Sequence, residues 1–185
     1  MNRILNLVAV PVDASVLPVS VSELKLFLQL QGTANDAQLL SYIKAATTMV
    51  EKALNRSLRP LTITLKFEQR NPDVPCVLPY PPLAAITSAK WQECPIRFTD
   101  MDLNYDYYII NSGDADAAFY GERTRGQMAF PTYRVIYTTG SYTDASAIEA
   151  VKIQAGFMWT NRDNVTNAIA PQAAALISSV TRGTF

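Results

Sequence analysis

The spacing of apolar and polar positions changes period along the chain, and each change predicts a different element. In "SVSELKLFLQL", Leu24, Phe27 and Leu28 fall on one helical face. Ser20 and Glu23 form a capping box ahead of them and Gly32 follows, so the pattern predicts a helix over 20–31. In "NDAQLLSYIKAATTMVEKALNRSL", Leu39, Ile43, Ala46, Val50 and Leu54 recur at spacings of four and three. Asn35 stands as N-cap, and a second helix is predicted over 36–56. The few polar residues between the two predict an antiparallel helical hairpin, closed by Pro60.

The period then becomes two. "LTITLKFEQ" alternates Leu61, Ile63, Leu65 and Phe67 with Thr62, Thr64, Lys66 and Glu68, the pattern of a half-buried strand. Pro79, Pro81 and Pro82 cannot donate to a ladder, so they predict an extended segment at an edge or crossover before a strand at Ile86–Trp91. Further strands are predicted at Tyr105–Ile110, within 111–131 and at "YRVIYTT" (Tyr133–Thr139). After Gly140 the helical period returns. Ser146 and Glu149 read as a second capping box opening a helix over 145–161, with Ile148, Val151, Ala155, Met158 and Trp159 as its buried stripe. A last short helix is predicted from Pro171, a favoured first helical residue, with Ala174, Leu176 and Ile177 on its apolar side. At the other end, Leu5–Val10 reads as an arm or edge strand that packs on something.

These elements predict an α+β fold. The N-terminal hairpin and the long C-terminal helix make a helical core, and a small antiparallel sheet or sandwich over 61–139 is inserted into it. The folded domain spans 20–163, between terminal arms at 1–19 and 164–185.

Composition narrows the functional classes. Lys+Arg and Asp+Glu are each 16, a formal net charge of +0, which argues against tight DNA wrapping by counterion release. The chain has no histidine, the commonest general base and metal ligand. Cys76 and Cys94 are too few for a disulfide scaffold and read either as reduced thiols or as a pair joined across a sheet. The apolar run near the N-terminus is broken by Pro11 and Asp13, making a poor signal peptide too short to span a bilayer, and no membrane partner is expected.

Candidate chemistry fails position by position. Asp100, Asp102 and Asn104 match the first ligands of a calcium loop, but Tyr105 replaces the turn glycine and Asn111 the bidentate glutamate. "GERTRG" has phosphate-loop glycine spacing, yet Gln127 and Met128 stand where Lys and Ser/Thr are required. Its two arginines, Arg123 and Arg125, with Tyr120 just before them, read either as an exposed hairpin loop or as a contact to a neighbouring subunit or channel. Ser41 and Lys44 have the spacing of a Ser/Lys pair, but on an ordinary helix face. No enzyme, metal or cofactor is expected.

Three features in fixed order carry a resemblance. A helical hairpin ends in "NRSL" before the first strand, "LPYPPL" introduces another, and "VIYTTGSY" feeds a helix finishing at "WTNR". Over roughly 19–163 the chain resembles the head–tail connector proteins of long-tailed bacteriophages and gene transfer agents, also called adaptor or head-completion proteins. It departs from them at Ser141, which separates Gly140 from Tyr142, and at Ala145–Ser146, where proline is frequent. The resemblance implies a non-catalytic virion subunit in a ring of about twelve copies, a closed cyclic assembly. That ring joins the portal to a tail-side stopper or terminator protein and extends the channel through which double-stranded DNA passes without sequence-specific binding. It also implies that 164–185 is a portal-docking arm, with contacts at Pro171, Leu176, Ile177, Arg182 and Phe185. The rival readings are a tail-side completion ring and a soluble ligand-binding domain. Whether Tyr142 faces the core or a neighbouring subunit is left open by sequence.

Overall fold

Strict alternation along Leu61–Glu68 and Thr132–Thr139 places one face of each segment in a core and leaves the other half-exposed. The computed structural model describes residues 2–70, 74–94, 97–103, 107–110, 117–121, 131–162 and 168–182. Its elements are β1 (Arg3–Pro11), α1 (Val21–Leu28), α2 (Asp36–Leu54), β2 (Leu61–Glu68), β3 (Cys76–Val77), β4 (Leu83–Cys94), β5 (Arg97–Asp100), β6 (Tyr107–Ile110), β7 (Ala118–Gly121), β8 (Thr132–Thr139), α3 (Ala145–Thr160) and α4 (Pro171–Arg182). The fold is α+β. Two compact units divide it, each assembled from separated segments: 1–13 with 60–141, and 14–59 with 142–185.

The first unit is a β-sandwich. One antiparallel sheet has the order β1-β2-β8-β4-β5 and the other β3-β7-β6. Leu61, Ile63, Leu65 and Phe67 from β2 meet Tyr133, Val135 and Tyr137 from β8 in its core. Phe119 of β7 packs edge-on against Phe67, with ring centroids 5.8 Å apart. Burying each such side chain stabilises the unit by about 1.5–3 kcal/mol. β4 is longer than the alternation predicts and lies inside the sheet, between β8 and β5. The prolines leave its ladder intact because all three precede its first residue, and two register shifts, at Leu83/Ala85 and Ile86/Ser88, bring it into line with β8. β5 was not anticipated: its four residues Arg97–Asp100 pair with β4. The strand expected within 111–131 is β7, whereas the start of the strand expected from Tyr105 and the basic loop of Arg123 and Arg125 fall outside the described residues.

The second unit is helical. α1 begins as expected, with the Ser20 side chain and Glu23 exchanging both capping-box bonds. It ends early, at Leu28, because Gln29 turns left-handed (φ 56°) and Leu30 N–H returns to the Lys25 carbonyl. Asn35 caps α2 with no side-chain hydrogen bond, whereas Lys25 and Asp36 clasp the two helices at 2.8 Å.

The start of α3 corrects the sequence reading. Asp144, not Ser146, is its N-cap: the Asp144 carboxylate accepts from Ser146 N–H (2.8 Å) and Ala147 N–H (3.1 Å). Ser146 then lies inside the first turn, two residues past the cap position. The buried face of α3 is also rotated from the expected stripe. Ala147, Ala150, Val151, Gln154, Ala155 and Gly156 are buried, while Ile148, Met158 and Trp159 pack at the margin. Small residues face inward because other helices come close: a Cβ on Gly156 would meet Phe27 at 3.2 Å and Leu28 at 3.3 Å. On α4 the buried residues are Ala173, Ile177 and Val180, so Ala174 points outward, contrary to expectation.

Candidate assembly surface

Groups that sequence singled out for chemistry are occupied by structural partners. Asp100 pairs with Lys90 at 2.8 Å across β4 and β5. The Ser41 hydroxyl donates to the Gln38 carbonyl on its own helix. Cys76 is a free thiol buried in the sandwich, and burial pushes it up to about 12, which keeps it from forming a nucleophilic thiolate at neutral pH. Cys94 has no described side chain. Glu51, buried at the end of α2, accepts from Leu58 N–H and lies 3.5 Å from the Arg59 guanidinium. Its burial raises the carboxyl against the lowering effects of Arg59 and the Leu58 bond. Both serve to pin the turn that leaves α2. Among the described residues no helix is long and apolar enough to cross a membrane.

The motifs that carried the resemblance hold one another in place. In the sandwich, Tyr137 OH donates to the Pro79 carbonyl (2.7 Å) and Gly140 N–H to the Pro82 carbonyl (2.8 Å). "LPYPPL" and "YTTG" therefore form one corner. In the helical unit, Tyr142 N–H donates to the Ser57 carbonyl (2.7 Å), and the Arg56 guanidinium lies 4.6 Å from the centre of the Tyr142 ring. Tyr142 thus packs on its own helical core, under the "NRSL" turn. Arg162 stacks in the same way on Trp159, at 5.2 Å.

The residues expected to dock are dispersed. Pro171 opens α4 on its exposed side, Leu176 is half-buried, and Ile177 is buried in the helical core. Arg182 ends the helix without a described side chain, and Phe185 lies outside the described residues. Of the other group, Tyr120 is half-buried in β7, while Arg123 and Arg125 lie outside the described residues. α4 is seated by a polar clamp that sequence did not reveal. The fully buried Gln154 accepts from Ala170 N–H at 2.8 Å and donates to the Ala168 carbonyl at 3.2 Å, so its amide satisfies both backbone groups just before α4.

A larger surface lies at the opposite end of the chain. Among the described residues β1 pairs with β2 alone and forms an outer edge of the five-stranded sheet. Ile4 and Leu7 stand on the face shared with Phe67 and Leu65, and Val8 and Val10 on the face shared with Thr64 and Thr62. All four are exposed, Ile4 by 50% and Val10 by 53%. The signal in sequence was the near-unbroken run "ILNLVAVPV", a pattern proper to a strand covered on both faces.

The chain matches the family model of the head completion protein over residues 19–168. No curated protein sequence matches it. Its fold is similar to a chain in the neck of a native gene transfer agent particle computed with C12 symmetry, with TM-score 0.68, 20% identity and coverage of 95% of this chain and 94% of that one. A chain in the neck of an empty particle computed with C6 symmetry gives 0.66 at 19% identity, covering 95% and 94%. A chain in the virion of a native gene transfer agent gives 0.60 at 20% identity, covering 92% and 93%. The family match spans most of the sequence, from the capping box of α1 to Ala168, whose carbonyl Gln154 holds, and the chain belongs to the head completion protein family.

Proposed function

We propose that this chain is a structural subunit of the virion neck, a connector that forms a ring between portal and tail and extends the DNA channel. The observation that carries it is the head-completion family match over 19–168. Similarity along almost the whole chain to subunits of a neck computed with C12 symmetry supports a ring of about twelve copies in closed cyclic symmetry. The subunit catalyses nothing. Its partners are its own copies, the portal and a tail-side stopper or terminator, and double-stranded DNA passes through without being read. A formal net charge of +0 suits such a passage, since a strongly basic channel would retain DNA that must leave. The C-terminal segment 164–185 docks on the portal. There, Ile177 seats α4 on the helical core, leaving Pro171 and the exposed side of the helix for contact.

Deleting the gene tests the reading. DNA-filled heads without tails are expected, and normal tailed particles would overturn it. A pull-down separates the tail-side alternative, because a connector retains portal directly and a tail terminator does not.

A further inference from the structure

The outer face of the five-stranded sheet carries a line of cations, and we infer that this line touches the phosphate backbone of the DNA in the channel. The inference rests on the neck reading above and names the part of the subunit that meets the duplex.

The line comes from strand register. Lys66 of β2 stands opposite Arg134 of β8, and Arg134 stands opposite Lys90 of β4. The three therefore sit side by side on adjacent strands, across roughly 10 Å of sheet. Like charges directly opposite one another destabilise a sheet. Nearby carboxylates relieve the line at one end only. Asp100 holds Lys90 at 2.8 Å, whereas Glu68 turns to Arg70, also at 2.8 Å. Lys66 and Arg134 make no ion pair among the described residues and share an aromatic ring instead. Their charged ends lie 5.3 Å and 4.4 Å from the centre of Phe98. Arg134 Nε is buried with no hydrogen-bond partner among the described residues, a further cost. A row that costs the fold in two ways is accounted for by a partner that brings negative charge to it.

The surroundings select the partner. Thr62 and Thr64 of β2 and Ser88 of β4 continue the same face and bring hydroxyl groups beside the cations. Arg, Lys, Ser and Thr are the side chains that hold phosphate and sugar oxygens, and such contacts carry no sequence information. The centre of a protein–protein contact is by contrast poor in lysine. Two unpaired cations from each copy also make a contact that salt loosens, so the duplex is guided and still free to leave.

Two measurements on the full chain test this. In the first, a photo-reactive amino acid replaces Thr64, beside Lys66 on the same face, and DNA-filled particles are irradiated. A covalent product with DNA is the expected result. A product with protein alone, or no product, overturns the inference. In the second, the purified chain is titrated into a labelled duplex of mixed sequence, and anisotropy is followed as salt is raised. The double substitution Lys66→Gln with Arg134→Gln should lower the slope of log affinity against log salt by about two, and the affinity at low salt by about tenfold or more. Lys44→Gln with Lys52→Gln, an equal change of charge on the exposed side of α2, should leave the slope where it is. Absence of binding by the wild-type chain, an unchanged slope in the first variant, or an equal effect of the second overturns the inference. A cross-link to another neck protein in normal particles defeats this contact alone, whereas normal tailed particles from the gene deletion defeat the neck reading beneath it.

Discussion

The sandwich and the helical unit reach stability by opposite means. Phe67, Phe119, Tyr107 and Tyr133 form a nest of rings in the sandwich, with centroids 5.0–5.8 Å apart. The helical unit buries Ala46, Ala147, Ala150, Ala155, Ala170 and Ala173 completely and keeps its Trp and Phe side chains at the margin. Where the sandwich centres on large rings, the helices combine the aliphatic side chains of Leu24, Leu39 and Ile43 with close backbone approach and buried polar pins: Gln154, and Glu51 with Arg59. A large-to-small change should therefore damage the first, and loss of a hydrogen bond the second.

The largest expected effect is that of Phe67→Ala, a loss of about 3–5 kcal/mol measured by urea denaturation. Hydrogen exchange should rise in β2 and β8 while α2 keeps its protection; equal loss in α2 would erase the distinction between the units. Gln154→Ala comes next. It leaves Ala170 N–H and Ala168 C=O without their partner, at a cost of about 1–3 kcal/mol. Its signature is faster exchange confined to α4, and a uniform increase across the helical unit would show that the amide is not a local pin. Asp144→Ala should cost about 1 kcal/mol by thermal melting, and Ser146→Ala much less. The reverse order would restore the cap that sequence suggested. The smallest effect concerns Cys76, whose modification by a thiol reagent at pH 8 should be slow because roughly one thiol in ten thousand is ionised there. Raising the pH toward about 12 accelerates it, and so does Phe67→Ala by opening the sandwich around the thiol. Rapid labelling of the intact wild type at pH 8 would contradict a closed core.

Legibility in sequence followed the same division. Period-two alternation at Leu61–Glu68 has one solution, because the other register would bury Thr62, Thr64 and Lys66. α3 has no such unique solution. Ile148, Ile153, Phe157, Met158 and Trp159 make it apolar nearly all round, so only the arrival of its neighbours decides that the alanines face inward. Asp144 and Ser146 are both good caps two residues apart, and spacing alone favoured the one with a glutamate after it. The Gln154 clamp joins residues whose relation exists only after folding. β1 was half legible: its run announced an edge strand that packs on something, and among the described residues its apolar side chains stand exposed.

An uncovered β1 also has a temporal consequence. A strand apolar and exposed on both faces is adhesive on a newly made subunit, where any other open edge is a target. Made in surplus it should precipitate, and made alongside the structure that receives it, it should stay in solution.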